Sequence, residues 1–365
     1  MHATESLTGY PVPTLLYRIH FRSAAIARQF GTEAERFIAS YVDIGCHMTE
    51  VMATSTVFNI EAMNSDSVHS IVNMVPMNDV QDINAFINAV NSKLPYGGLY
   101  IGCIENLWQR RCRVLNKYPK AISYPYYMLD FLVKRVFPKW GPTRKIYKLL
   151  TRENNRAVST TEMLGRLRVF GFSIEDNKEV GKLTFFVVRK IALPVLNTEP
   201  HYGMIIRLRR IGKDGKMFDV FKFRTMHPYA EFLQEYVHSK NNLGRGGKFA
   251  DDFRITSWGR WMRKFWLDEL PMWYNWLRGE LKLVGVRPLS RQYFALYPAE
   301  FQERRIRYTP GLIPPFYVDL PETIEDIVAS EIKYLDAYDK HPWLTDIRYF
   351  FKALYNIIIK RARSS

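Results

Sequence analysis

An α/β N-terminal half followed by an α+β, helix-rich C-terminal half is the fold class this sequence predicts, with one domain over residues 1–195 and a second over 196–365. Three observations carry it. Between residues 68 and 103 a strand-like run, a helical run and another strand-like run follow one another. Asp214-Gly215 separates two apolar stretches, a strong hairpin signal. The stretch Ser257–Pro288 places apolar residues at helical spacing ahead of an acidic pair and a proline.

Taken in order, residues 23–40 predict a helix, FNIEAM (58–63) a short strand and VHSIVNMVPM (68–77) a second. Val80, Ile83, Phe86, Ile87, Val90 and Leu94 then share a helical face, closed by Gly97-Gly98. LYIGC (99–103) reads as a buried strand, which completes a βαβ unit in a parallel sheet. The basic, aromatic run 106–140 has two readings, a docking or membrane-facing surface or an elaboration packed on the sheet. Residues 160–172 predict a helix with Met163, Leu164, Leu167 and Phe170 inward, and 170–191 two antiparallel strands.

A Pro/Asn/Gly cluster at 193–203 marks the domain boundary. The hairpin beyond it carries Arg207, Arg209, Arg210, Lys213, Lys216, Lys222 and Arg224, either a solvated charged ribbon or one that holds a diphosphate. Residues 227–250 predict a helix and then a Gly-rich loop, a closing element or a plain connector; its spacing is not that of a P-loop.

Next, Trp258, Trp261, Met262, Phe265, Trp266 and Leu270 share the face of one helix, with Ser257 as its N-cap. Pro271 has no N–H for the carbonyl of Leu267, so the helix stops or kinks there. A kink brings Asp268 and Glu269 toward one cleft; the plainer reading is two solvated acids at a helix end. Residues 345–363 predict an amphipathic helix capped by Thr345. Its apolar face is Ile347, Phe350, Phe351, Leu354, Ile357 and Ile358, and it is either interfacial or packed on its own domain.

The net charge is +16, which calls for an anionic partner: nucleic acid, anionic lipid or a phosphorylated substrate. Three cysteines without a CxxC pair argue against a disulfide framework or a zinc site. The first residues lack a long apolar core, so no signal peptide is expected. No run of eighteen apolar residues occurs, so no spanning helix is expected either.

KFRTM (222–226), DFRITSWGRWMRK (252–264), LDELP (267–271), LRGELKLVGVRP (277–288) and YTPGLIPPF (308–316) occur in that order. Together they resemble the bacterial sugar transferase family, the monotopic polyprenyl-phosphate glycosyl-1-phosphate transferases, over about the last 165 residues. The resemblance implies Asp268 and Glu269 as catalytic residues and Mg²⁺ ligands, Glu269 serving as metal ligand or as acid/base. It implies Arg254, Arg263 and Arg287, the arginines of DxR, GRxxR and GxRP, around the substrate phosphates; Lys222, Arg224 and Arg307 are assigned there too. The implied partners are a nucleotide diphosphate sugar, UDP-linked, a polyprenyl phosphate and the cytoplasmic face of the bacterial inner membrane, with no nucleic acid.

The N-terminal half resembles the later part of a class I S-adenosylmethionine-dependent methyltransferase: a helix before GG, a GG-led strand, a late helix ending in GF and a terminal hairpin. Its front half departs from that pattern. DIGC (43–46) stands where the first strand and turn would be, His47, Met48 and Thr49 replace the Gly-rich loop, and Glu61 follows closely as the ribose-binding acid. A scaffold or protein-interaction domain without cofactor is therefore expected. Active methyl transfer with an accessory C-terminal half is the alternative. In the sugar transferase family a long, proline-broken re-entrant helix precedes the basic ribbon. Here that place holds KLTFFVVRKIALPVLN, interrupted by Arg189 and Lys190.

Overall fold

The computed structural model describes residues 13–64, 68–139, 154–195, 203–240 and 252–360, with alternate residues of 143–151. They form two compact units, one within 1–202 plus 228–236 and the other within 203–227 plus 237–365.

The first unit opens with helices α1 (Pro13–Phe30) and α2 (Thr32–Ala39), separated by Gly31 at φ 91°. A single helix over 23–40 is thus corrected to two, because only glycine holds that dihedral without strain. A five-stranded sheet follows, ordered β1 (Thr49–Met52), β2 (Ser70–Asn73), β3 (Leu99–Ile104), β5 (Leu183–Lys190), β4 (Phe172–Val180). The first three strands are parallel, β5 runs antiparallel to β3, and β4 antiparallel to β5. Every residue of β3 is buried, as a central strand covered on both faces requires. Between β1 and β2 lies α3 (Val57–Glu61), and between β2 and β3 lies α4 (Ile83–Lys93). Asp82 caps α4 by accepting from the amides of Asn84 and Ala85, both at 3.1 Å. Gly97 turns the chain into β3 at φ 83°.

Two readings of this half are overturned. FNIEAM is the helix α3, not a strand: Ile60 is buried, but Phe58 is 75% exposed, and so short an apolar run fits either periodicity. DIGC is a turn; the first strand starts after it, at Thr49, and Glu61 is the exposed last residue of α3. Helices α5 (Leu107–Leu115) and α6 (Lys120–Phe131) follow β3. Arg110, 2% exposed, pins them together through Asp130 at 2.6 and 2.8 Å, while Trp108, Tyr124, Met128 and Leu129 remain exposed. Helix α7 (Thr160–Val169) precedes the β4–β5 hairpin with Met163, Leu164 and Leu167 buried. A further helix, α8 (Gln234–Lys240), begins after a 3-10 turn; the Gly-rich loop expected after it lies outside the described residues.

The second unit opens with the antiparallel hairpin β6 (Ile205–Ile211) and β7 (Met217–Phe223), turned by Asp214 and Gly215 at φ 55° and 71°. Helices α9 (Ser257–Lys264) and α10 (Met272–Leu277) follow, then β8 (Lys282–Val284), α11 (Arg291–Phe294), α12 (Ala299–Arg305), β9 (Gly311–Ile313) and α13 (Phe316–Asp319). Parallel β8 and β9 approach so closely that a Cβ on Gly311 would lie 2.1 Å from the amide nitrogen of Gly285. The long helices α14 (Ile324–Lys340) and α15 (Pro342–Ile358) close the core around Val284, Val286, Tyr317, Tyr334 and Ala353. Thr345 is no cap: it lies inside α15, and its hydroxyl donates to the carbonyl of Ala337 at 3.0 Å. The inward face of α15 is Thr345, Tyr349, Ala353 and Asn356. Ile347, Phe351, Leu354 and Ile358 point to solvent, so one helix is both packed on its domain and apolar outside. No helix among the described residues is long and apolar enough to cross a membrane.

Candidate active site

The acidic pair sits on a short 3-10 turn, Leu267–Glu269. Helix α9 ends before it, at Phe265, and the break is made by Trp266 at φ 54°, ψ 18°. The expectation of one helix to Pro271 is thereby corrected. Pro271 instead leads into α10, where a missing N–H costs nothing, and the carbonyl of Leu267 accepts from Leu270 at 3.3 Å. A left-handed tryptophan is strained by about 1–2 kcal/mol. Its indole N–H donates to the hydroxyl of Tyr317 at 3.0 Å, and the rings meet edge to face at 5.8 Å. Thr256, not Ser257, caps α9, accepting from the amide of Gly259 at 2.8 Å.

Thr225, inside KFRTM, ties this helix to the ribbon. Its carbonyl accepts from the amide and the hydroxyl of Thr256, each at 3.0 Å, and its hydroxyl accepts from Arg263 at 2.9 Å. Gly259 makes the approach possible, since a Cβ there would stand 2.0 Å from the Thr225 carbonyl oxygen. Buried Asn275 on α10 anchors β7: its amide accepts from Phe221 N–H at 3.1 Å and donates to the carbonyl of Asp219 at 2.7 Å.

The turn opens on a cavity of about 330 Å³ lined by Leu208, Arg210, Val220, Lys222, Glu269, Met272, Arg287 and residues of the 288–293 and 311–317 segments. Glu269 lines it and accepts from Lys222 at 2.6 Å; Asp268 is not among the lining residues. Asp268 is half-buried. Burial pushes its carboxyl above the usual range, the charge on Glu269 adds to this, and Lys222 and Arg263 pull it back in part.

The six assigned cations are sorted by the fold. Lys222 and Arg287 line the cavity, and Arg263 acts on Asp268. Arg254 is not among the lining residues: it is 7% exposed and forks onto Asp252 at 2.8 and 2.7 Å. Burial works against that carboxylate's charge, but the Arg254 hydrogen bonds outweigh it and hold Asp252 below the usual range. Arg224 bonds the carbonyl of Gly203 at 3.0 Å, and Arg307 is exposed; neither lines the cavity. Arg305 holds the site indirectly. It is buried on Glu331 at 2.7 Å and donates to the backbone carbonyl of Arg287.

No group of three or more metal-binding side chains occurs among the described residues. Asp268 and Glu269 match the one or two carboxylates by which Mg²⁺ is held when phosphates and water supply its other ligands.

The sequence model of one family, described as bacterial sugar transferase, matches residues 180–360. Over those residues this chain belongs to the bacterial sugar transferase family. Its relatives include the "Galactosyl transferase CpsE" of Streptococcus agalactiae serotype III (strain NEM316), 33% identical over 138 residues, which are 37% of this chain and 30% of that protein. The "UDP-galactose-lipid carrier transferase" of Erwinia amylovora is 26% identical over 266 residues, 71% of this chain and 52% of that one. The "Exopolysaccharide production protein ExoY" of Sinorhizobium fredii (strain NBRC 101917 / NGR234) is 40% identical over 111 residues, 28% of this chain and 48% of that one. The chain thus spans about half the length of these curated relatives or less. The sugar transferase match begins inside the β4–β5 hairpin, so the place where the family resemblance implies a re-entrant helix holds strand β5.

Proposed function

We propose that this sugar transferase domain moves a sugar 1-phosphate from a UDP-sugar to a polyprenyl phosphate in two displacements. The observation that carries this reading is a half-buried carboxylate, Asp268, under the influence of Lys222 and Arg263 beside a cationic cavity. Relatives named for UDP-galactose and for undecaprenyl-phosphate galactose phosphotransfer support the substrate classes. In the first step an Asp268 oxygen bonds to the sugar-bearing phosphorus, the bond from that phosphorus to the bridging oxygen breaks, and UMP leaves with the electron pair. In the second, an oxygen of the lipid phosphate bonds to the same phosphorus and the aspartyl–phosphorus bond breaks. That restores the carboxylate and yields a lipid diphosphate sugar. A carboxylate is ionised at neutral pH and needs no base. Lys222 and Arg263 offset charge on the phosphoryl oxygens, and Lys222 also orients Glu269. Mg²⁺, held by Asp268 and Glu269 together with substrate phosphates, would add Lewis-acid neutralisation of the same charge.

The first unit is a methyltransferase-like scaffold for a partner protein in this reading. Its parallel strands ending in an antiparallel hairpin support the fold. A turn in place of a strand and Gly-rich loop at 43–48 argues against cofactor binding.

The domain meets the cytoplasmic face of the inner membrane peripherally. Trp258 and Trp261 on α9, Phe265 at its C-cap, and Trp273, Trp276 and Leu277 on α10 are each 40% exposed or more, with Arg260, Lys264 and Arg278 nearby in sequence. Rings and cations together favour the interface between lipid and water. The test is incubation of the full chain with a panel of UDP-sugars, Mg²⁺ and polyprenyl phosphate. UMP release with one sugar supports the proposal. Release with none across the panel contradicts it.

A further inference from the structure

We infer that Arg210 joins Arg287 in a guanidinium clamp for the nucleoside-side phosphate of the donor, an inference that rests on the donor being a nucleotide diphosphate sugar. Arg210 is absent from the motif-derived set. The register of the hairpin places it. Along β6 the side chains alternate, with Arg207 and Arg209 exposed and Leu208 and Arg210 turned to the cavity. Lys222 pairs with Ile206 and Val220 with Leu208, so one face of the ribbon carries a cation at each end and an apolar step between. Four residues of strand separate the two levels by about 13 Å. The cavity therefore has a Lys222–Glu269 end next to Asp268 and an Arg210–Arg287 end away from it.

The far end is built rigidly. The amide of Ile211 donates to the carbonyl of Leu289 at 2.9 Å, which fixes the ribbon against the segment carrying Arg287. The backbone of Arg287 is itself held by Arg305, which is locked on buried Glu331. Neither Arg210 nor Arg287 has an ion-pair partner among the described residues; the one carboxylate lining the cavity, Glu269, is engaged by Lys222. Burial and the nearby charge of Arg287 both lower the affinity of Arg210 for its proton, as expected for two like charges awaiting an anion. Two guanidinium forks match phosphate oxygens, and charge grows on that phosphate as it leaves.

The test is calorimetric titration of the full chain with UMP, UDP, inorganic phosphate and a short-chain polyprenyl phosphate. Wild type is compared with Arg210→Gln, Arg210→Lys and, from the opposite face of the same strand, Arg209→Gln. Expected are at least tenfold weaker UMP and UDP binding in R210Q, partial retention in R210K, and affinities within about twofold of wild type in R209Q, with melting temperatures showing all variants folded. The KM for the donor should rise in parallel. Wild-type UMP affinity in R210Q overturns the clamp. So does a loss confined to the lipid phosphate, which would assign the cations to the acceptor. If wild type turns over a UDP-sugar while R210Q keeps its KM, the clamp fails and the proposed reaction stands. If wild type binds no uridine nucleotide, the donor assignment itself fails.

Discussion

At the residue scale, Asp268 is held in a state that costs stability. Its carboxyl titrates above the ordinary carboxylate value, so the folded protein binds that proton more tightly than the unfolded chain does. The stabilising contribution is complete below the ordinary carboxylate pKa, about 3.9, and is lost as pH rises through the raised value. Asp268→Asn should therefore melt at a higher temperature than wild type at neutral pH. The gain should vanish as pH falls toward about 4, which thermal melts across that range will show. Lys222→Met removes a cation that opposes the shift, so the acid limb of kcat/KM should move further toward neutral pH. An unmoved limb would separate Asp268 ionisation from the rate. Asp252 has the opposite sign: its lowered pKa gives stability above the ordinary value that is lost as pH falls. Asp252→Asn removes the negative charge from the Arg254 fork. It should lower the denaturant midpoint at neutral pH, and less as the wild-type carboxylate protonates.

At the element scale, the ribbon, α9 and the acidic turn form one assembly through Thr225 and Gly259. Gly259→Ala puts a methyl group onto the Thr225 carbonyl and should destabilise by about 1–3 kcal/mol or more. A neutral effect in chemical denaturation would mean that α9 is free to move off the ribbon. The hairpin was legible because Asp-Gly fits a left-handed turn, and the βαβ unit because α4 and β3 differ in period. Strand β1 and helix α3 were not, since runs of four or five residues carry too little periodicity. The break before Asp268 was visible as a proline, yet the backbone makes it at Trp266, a residue type with no preference for φ > 0. Arg254 illustrates a further limit. Its motif marks it as a residue of the site, and only the fold shows that it also forks onto Asp252, two residues away. Arg210 was visible as one cation in a ribbon of seven, and strand register was needed to select it.

At the scale of the whole molecule, the +16 net charge, the exposed tryptophans and the outward apolar face of α15 supply the cations and rings that the proposed lipid-surface contact needs. The triple variant Trp258→Ser, Trp261→Ser, Phe265→Ser should lose at least tenfold in binding to vesicles of anionic lipid, measured by sedimentation. Its melting temperature should change little, because these side chains are exposed. Undiminished binding would move the membrane contact elsewhere. The claim on which the rest depends is that the carboxylate of Asp268 itself takes the phosphosugar. Intact-protein mass spectrometry after mixing the full chain with its UDP-sugar, before any lipid acceptor is added, tests it most directly. A stoichiometric increment of one sugar phosphate, with one equivalent of UMP released and both lost in Asp268→Asn, is the expected result. Turnover that needs the acceptor for any UMP release and leaves the protein mass unchanged throughout would contradict it.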